Sequence, residues 1–230
     1  MAVSSIPVVS PTTRIVDTVQ GALRDAIFRG SLRGGEPLSV PELSRKLKVS
    51  RSPVREAVLG LVAEGLAVEQ PRKGVMVALV DAKNLMDIHE IRVYLEAGAA
   101  RLCAERIATD GIDNLQDILR RQKRAVAAGD NDGYFESNSE LHRAIAGGAG
   151  NSRMVAMLVL LEGQMRIALH RAVQSRKHMK EGLVEHTQII EAIAAGKVDR
   201  AEMCMREHIT NTIRRLKQSG YTPPPSDRQS

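Results

Sequence analysis

The sequence predicts a mainly α-helical protein in two parts: a winged helix-turn-helix of short elements, then an all-α bundle of six long helices. Three observations point there. Aromatic residues make up only 2% of the 230-residue chain and tryptophan is absent, so the core must come from Leu, Ile, Val, Met and Ala, several of them strong helix formers. Beyond residue 80, apolar residues recur every three or four positions in long stretches. Before it, the elements are short and punctuated by Gly and Pro. The chain is long enough for one or two domains with a real core. No apolar run of about 18 residues occurs, so no membrane span is expected. The opening "MAVSSIPVVSPTTR" has neither the early basic cluster nor the apolar stretch of a signal peptide, and a cytoplasmic location is expected. Cys103 and Cys204 form no CxxC pair and are expected as buried thiols.

Residues 1–11 and 220–230 are Pro- and Ser-rich and read as flexible tails. The domain between residues 12 and 80 begins with a helix carrying Ile15, Val19, Leu23 and Ile27 at helical spacing, capped by Thr12 or Thr13 and ended by Gly30. "SLRGGEPLS" is a loop. "VPELSRKLKV" is a short helix that tolerates Pro41 in its first turn and turns Leu43 and Leu47 inward. "SRSPVREAVLGLVAEG" is a third, with Ser50 or Ser52 as cap, Pro53 at its first position, an apolar stripe of Val54, Val58, Leu61 and Val62, and Gly65 closing it. Leu66–Glu69 and Val75–Leu79 read as strands joined by the basic turn "QPRKG".

That element order is the one in which a third helix enters the DNA major groove with its N-terminal residues on base edges. Those residues here are Ser50, Arg51, Ser52 and Arg55. Arginine can grip guanine with two hydrogen bonds, while serines reach phosphates. The hairpin adds Arg72 and Lys73 beside Gly74, where a small residue allows close approach. The net charge of +6 leans the same way, since residues 1–80 hold 11 Lys and Arg against 7 Asp and Glu. The stretch "LSRKLKVSRSPVREAVLGLVAEGLAVEQPRKGVMV" closely resembles the winged-helix domain of the GntR family of bacterial transcription regulators. The resemblance implies DNA contact by Ser50, Arg51, Ser52, Pro53 and Arg55 and by the wing around Lys73 and Gly74.

Residues 81–219 read as six helices joined by short loops. Leu85, Ile88, Ile91, Leu95, Ala99 and Leu102 form the first stripe, broken by "TDG". Ile112 to Val126 form the second, ended by "AGDNDG", and Tyr134 or Phe135 to Ile145 the third. Met154–Val173 is the fourth, with Met157, Leu158, Leu161, Met165 and Leu169 inward; the fifth and sixth run from Lys177 and Val198. No nucleotide-binding glycine loop, nucleophile elbow or HExxH occurs.

Polar residues interrupt three of these stripes. Asn138 and His142 share the face of Phe135 and Ile145, His186 that of Leu183 and Ile190, and His208 that of Met205 and Thr212. Each buried polar group needs a partner, and one divalent metal ion would satisfy all of them. Imidazole suits zinc, nickel, copper or iron, with zinc the default on availability. His89, His170 and His178 read as surface or rim. This half resembles the all-helical effector domain of the FadR subgroup of GntR regulators, and its six helices are more similar to the branch typified by the vanillate regulator than to the seven-helix fatty-acid regulator. His142, His186 and His208 match the subgroup's three histidines, while Asn138 stands where many members have Asp.

An amide leaves the ion's charge uncompensated, which favours an anion at the open coordination position and hence a carboxylate effector. Arg92 stands where members of the subgroup tend to point an arginine at the ligand; the plain alternative is a surface pair with Glu96. A homodimer on a palindromic operator is expected, because a single winged helix reads too few base pairs. Two other readings of the histidines are a metal-dependent hydrolase and a purely structural metal site. A hydrolase needs a carboxylate base, and Glu140 and Glu185 fall off the histidine faces by phase.

Overall fold

The structure is a computed structural model describing residues 15–169 and 175–218, and the chain divides between Ala78 and Leu79 into two compact units. Both expected tails, the Thr12 or Thr13 cap, His170 and the end of the fourth bundle helix at Val173 lie outside the described residues.

The first unit holds α1 (Ile15–Phe28), α2 (Val40–Leu47), α3 (Arg51–Ala63), β1 (Ala67–Gln70) and β2 (Gly74–Val77). Val19, Leu23 and Ile27 of α1, Leu43 of α2, and Val54, Ala57, Val58 and Leu61 of α3 are its buried residues at helical spacing. Ile15, expected in that stripe, is 60% exposed. Gln20 Nε2 and Arg24 Nε donate to the Glu64 carboxylate, each at 2.8 Å, and tie α1 to the end of α3. Gly65, in the left-handed region at φ 70°, lets the chain turn from α3 into the hairpin. β1 and β2 pair antiparallel with Ala67 opposite Val77, and Leu38 N donates to Val75 O while Val77 N donates to Glu36 O, which brings residues 36–38 alongside β2. Pro53 is the third residue of α3 rather than the first, a position equally free of an intrahelical N–H obligation.

The second unit contains α4 (Ala82–Arg106), α5 (Thr109–Ala128), α6 (Asn131–Gly148), α7 (Ser152–Leu169), α8 (Arg176–Ala194) and α9 (Val198–Gln218), six helices among the described residues. Asp81, Asp130 and Ser175 cap α4, α6 and α8 through their side chains. The "TDG" expected as a break is instead the first turn of α5, and the chain reverses through Ile107 and Ala108 alone. A core of Cys103, Ile118, Leu141, Ile145, Ile189, Ile193, Met205 and Ile209 joins α4, α5, α6, α8 and α9. A smaller cluster of Leu85, Ile88, Leu161 and Ala168 seats α7 on α4.

Two stripes shift in phase. Ile91 is 50% exposed, whereas His89, Arg92 and Glu96 face inward. Met157 on α7 is 57% exposed rather than inward, because only one face of α7 packs on the bundle.

A close approach holds α8 against α6: a Cβ at Gly182 would collide with the buried Tyr134 hydroxyl. Gly182→Ala is expected to lose about 1–3 kcal/mol from overpacking. The gain in helix propensity, up to about 1 kcal/mol, does not cover that loss. Urea denaturation would show a lowered midpoint, and an unchanged midpoint would mean that the tyrosine gives way.

Candidate functional site

Two candidate sites emerge, one in each unit. In the first, Ser50 is the N-cap of α3 in an extended conformation, and Arg51, Ser52 and Arg55 are exposed, away from the buried Val54, Val58 and Leu61. Pro53 is half-buried in the same turn. The hairpin turn closes with a hydrogen bond from Lys73 N to Gln70 O at 3.1 Å. Arg72 and Gly74 both take left-handed backbone conformations, at φ 67° and 81°, and Arg72, Lys73 and Gly74 are exposed. Glycine at 74 suits that conformation and keeps the turn slim.

In the second unit His142 (α6), His186 (α8) and His208 (α9) meet with ring centroids 5.5, 5.2 and 4.4 Å apart. One ligand atom from each lies within 4.8 Å of the others. What stands behind each ring decides which nitrogen is available. His142 Nδ1 meets Glu96 Oε2, His186 Nδ1 meets Gln122 Oε1 at 2.7 Å, and His208 Nδ1 meets Glu185 Oε2 at 2.7 Å. An ionised carboxylate only accepts, so the Nδ1 atoms of His142 and His208 carry the protons, and the amide oxygen assigns His186 the same way. All three Nε2 lone pairs are left over. His186 Nε2 and His208 Nε2 face each other at 3.2 Å, a repulsive contact for two lone pairs. A tetrahedral set of nitrogens at zinc bond lengths has an edge of about 3.3 Å. The residues present therefore fit a divalent metal ion, with the backing acceptors that orient metal-bound histidines.

The carboxylates are held ionised by arginines. Burial alone would raise Glu96, but the adjacent Arg92 guanidinium, with His142, holds it well below the usual carboxylate range. Arg92 Nε donates to Glu96 Oε1 at 2.6 Å in an almost fully buried pair. Burial would raise Glu185 too, yet hydrogen bonds from Arg215 and His208 bring it down to about 2. Burial lowers His186 well below the ordinary imidazole value, and lowers His208 to about 4 against the pull of Glu185. The imidazoles of His186 and His208 are thus neutral near pH 7, the form that ligates metal.

Beside the histidines lies a cavity of about 230 Å³ between α4, α6, α7 and α9. Arg92, Asn138, His142 and His208 line it at one side, and Leu158, Met165 and Leu169 of α7 form an apolar wall. Asn138 is half-buried there, one turn before His142.

Several expectations change here. The Arg92–Glu96 pair exists but is buried, not a surface pair. Glu185, set aside by phase, reaches His208 across the helix interface, because phase along α8 says nothing about a neighbouring helix. Glu140 does lie away, bonded to Arg121. His89, expected at the surface or rim, is 0% exposed and lines the cavity, whereas His178, half-buried at the same cavity, fits that expectation. Gln122 and Arg215 also belong to the site, and the sequence carries a signal for both: Leu115, Leu119, Gln122 and Val126 share one stripe and His208, Thr212 and Arg215 another.

The fold defines a winged-helix protein with an all-helical companion domain, and comparison with known proteins agrees. Residues 15–77 match the gntR family of bacterial regulatory proteins, and residues 87–211 match the FCD domain. The Nta operon transcriptional regulator of Aminobacter aminovorans is 30% identical over 77% of this chain and 82% of that protein. The HTH-type transcriptional repressor RspR of Escherichia coli is 25% identical over 91% and 93%. Among solved structures, E. coli McbR/YncC matches with a TM-score of 0.75 at 24% identity, covering 91% of this chain and 100% of that one. A putative GntR regulator from Rhodococcus sp. RHA1 matches at 0.69 and 22%, covering 89% and 98%. The chain belongs to the GntR family of bacterial transcription regulators and carries an FCD domain. Its family and relatives are DNA-binding regulators, not enzymes. No helix among the described residues is long and apolar enough to cross a membrane.

Burial, with the nearby Arg92 charge, pushes the His89 imidazole down to about 3. Between that value and the ordinary value near 6.5 the unfolded chain binds a proton that the folded one does not, so stability falls as pH falls through this window. His89→Leu should flatten the loss between pH 6 and pH 4 by on the order of 1 kcal/mol per pH unit. Denaturant titrations of both proteins in that window check it; parallel profiles would refute it.

Proposed function

We propose that this regulator binds a palindromic operator as a homodimer and senses a small carboxylate at a metal site in its FCD domain. The observation that carries the reading is the convergence of three histidine lone pairs beside a cavity, each imidazole backed by its own acceptor. His142, His186 and His208 hold a divalent ion, zinc by availability with nickel or another transition metal as alternatives, and Asn138 adjoins them as a fourth, neutral donor. The ion would supply a positive charge to bind an anion. Glu96 and Glu185 do not cancel that charge, because Arg92 and Arg215 already balance them. Arg92, lining the cavity, keeps guanidinium N–H groups beside the ligand as well as beside Glu96.

In the winged helix, Arg51 and Arg55 read base edges in the major groove, with Ser50, Ser52 and Pro53 against the backbone. Arg72, Lys73 and Gly74 bring the wing to phosphate or a groove. Such a regulator works in the cytoplasm, where the bacterial chromosome lies. The ligand controls DNA affinity to the extent that it binds one arrangement of the dimer better than another. A hydrolase is disfavoured by the geometry as well as by the relatives, since both carboxylates nearest the histidines are engaged behind the rings.

Metal analysis of the purified protein, followed by a thermal-shift screen of organic acids, tests the sensor reading; no metal uptake and no responding acid would overturn it. Gln122→Leu, which removes the acceptor behind His186, is expected to weaken zinc binding about 10- to 100-fold while leaving all three ligands in place. A competition titration with a chromophoric chelator measures this. At the other end of the chain, Arg51→Ala should cost about 1–3 kcal/mol of specific binding and relax specificity at one base pair. Gel-shift titrations on a selected operator and its single-base variants decide; unchanged affinity would remove Arg51 from the reading set.

A further inference from the structure

The inward face of α4 carries three polar residues in a row, His89, Arg92 and Glu96. Their spacing of three and four residues aligns them over a rise of about 10 Å along the helix. Two have partners: Glu96 meets His142, and Arg92 meets Glu96 and, at 2.7 Å, the Met165 sulfur. His89 has none. Its side chain is fully buried, it lines the cavity, and neither ring nitrogen meets a hydrogen-bonding partner among the described residues. An unpaired buried polar group is costly, and nothing in the packing of α4 requires an imidazole there.

The surroundings of His89 define what could pair with it. Met154 packs on Gly98 and Met165 on Arg92, so α7 runs antiparallel to α4 and its Leu169 end lies toward His89. Leu169 and Leu216 line that end of the cavity, whereas Asn138, His142 and His208 line the other. Leucines thus surround the His89 end, and among the described residues His89 is the imidazole that lines the cavity there with neither ring nitrogen paired.

We propose that the cavity takes an elongated carboxylate whose far end bears an uncharged hydrogen-bonding group, a hydroxyl or carbonyl, and that His89 binds that group. This rests on the reading of the cavity as a carboxylate site and adds a second recognition point to it. A neutral imidazole offers one N–H and one lone pair, which match a hydroxyl as donor and acceptor. Burial and Arg92 keep the ring neutral. A second carboxylate at this end could only accept, so one nitrogen lone pair of the neutral ring would face it with no proton between them. The ligand class that follows is a hydroxy or oxo fatty acid, or an acid of similar length, in preference to the plain acid or the diacid.

The test uses the full-length zinc-loaded protein and isothermal titration with butanoate, hexanoate and octanoate, each beside its ω-hydroxy counterpart, and with adipate. At the chain length that spans the cavity, the hydroxy acid is expected to bind about two- to tenfold more tightly than its parent, the range of one net hydrogen bond. His89→Leu should abolish that preference, with a melting temperature at or above that of the wild type. His89→Gln, which keeps a donor and an acceptor, should retain part of it. Equal affinities within every pair, a preference that survives in His89→Leu, or tightest binding of adipate overturns the assignment of His89 while leaving the carboxylate site standing. If none of the acids binds the wild type, both the assignment and the carboxylate reading fall.

Discussion

Three imidazoles cannot be buried side by side unless every nitrogen has a use, and the second unit is organised around that constraint. Glu96 on α4 backs His142 on α6, Gln122 on α5 backs His186 on α8, and Glu185 on α8 backs His208 on α9. Arg92 and Arg215 in turn hold the two carboxylates. Five of the six helices thus meet through directional bonds as well as through the apolar core of Cys103, Leu141, Ile189 and Met205. Apolar packing tolerates sliding by a fraction of a turn, whereas these bonds do not, so they set the helix register around the histidines. Loss of any one backing acceptor would leave a buried N–H unpaired, at about 1–3 kcal/mol, and release the ring to turn.

The same residues that fix the register also prepare the chemistry. Ordinary surface histidines titrate near neutrality and compete with metal for protons. Here burial lowers His186 and His208, and the Nδ1 partners leave Nε2 as the available lone pair on each ring. The arginines behind the carboxylates keep the arrangement charge-neutral before any ion binds, so that a bound cation carries its charge to the cavity face. Asn138, which lines the cavity beside His142, is neutral and adds no charge there. The cavity adjoins the cluster rather than lying apart from it, so the histidines, the α4 face and the α7 wall line one space.

Much of this was legible in the chain. The winged helix was readable because its elements are local: caps, glycine stops, and strands joined by a short basic turn leave few alternative pairings. The three histidines were readable because each sits in phase with a strong apolar stripe. Helix α4 was misread for an instructive reason. Two rows of comparable spacing compete along it, one through Ile88, Ile91 and Leu95 and the other through His89, Arg92 and Glu96. Hydrophobicity favours the first row, yet the bundle buries the second around its cavity and leaves Ile91 and Tyr94 exposed. A stripe argument assumes that the buried face is the apolar one, and a face that lines a polar cavity breaks that assumption.

Local pattern therefore determined the element order, the family resemblance, the basic character of the winged helix and the identity of the three converging histidines, because each depends on residues close in sequence or on a single helix's period. Tertiary structure alone decided which carboxylate stands behind which ring, that Gln122 and Arg215 belong to the site, and that His89 faces the cavity without a partner among the described residues. Those are relations between different helices, separated by as many as 64 residues in the case of Gln122 and His186. The rotation of each helix about its axis settles them, and that rotation is set by the packed whole.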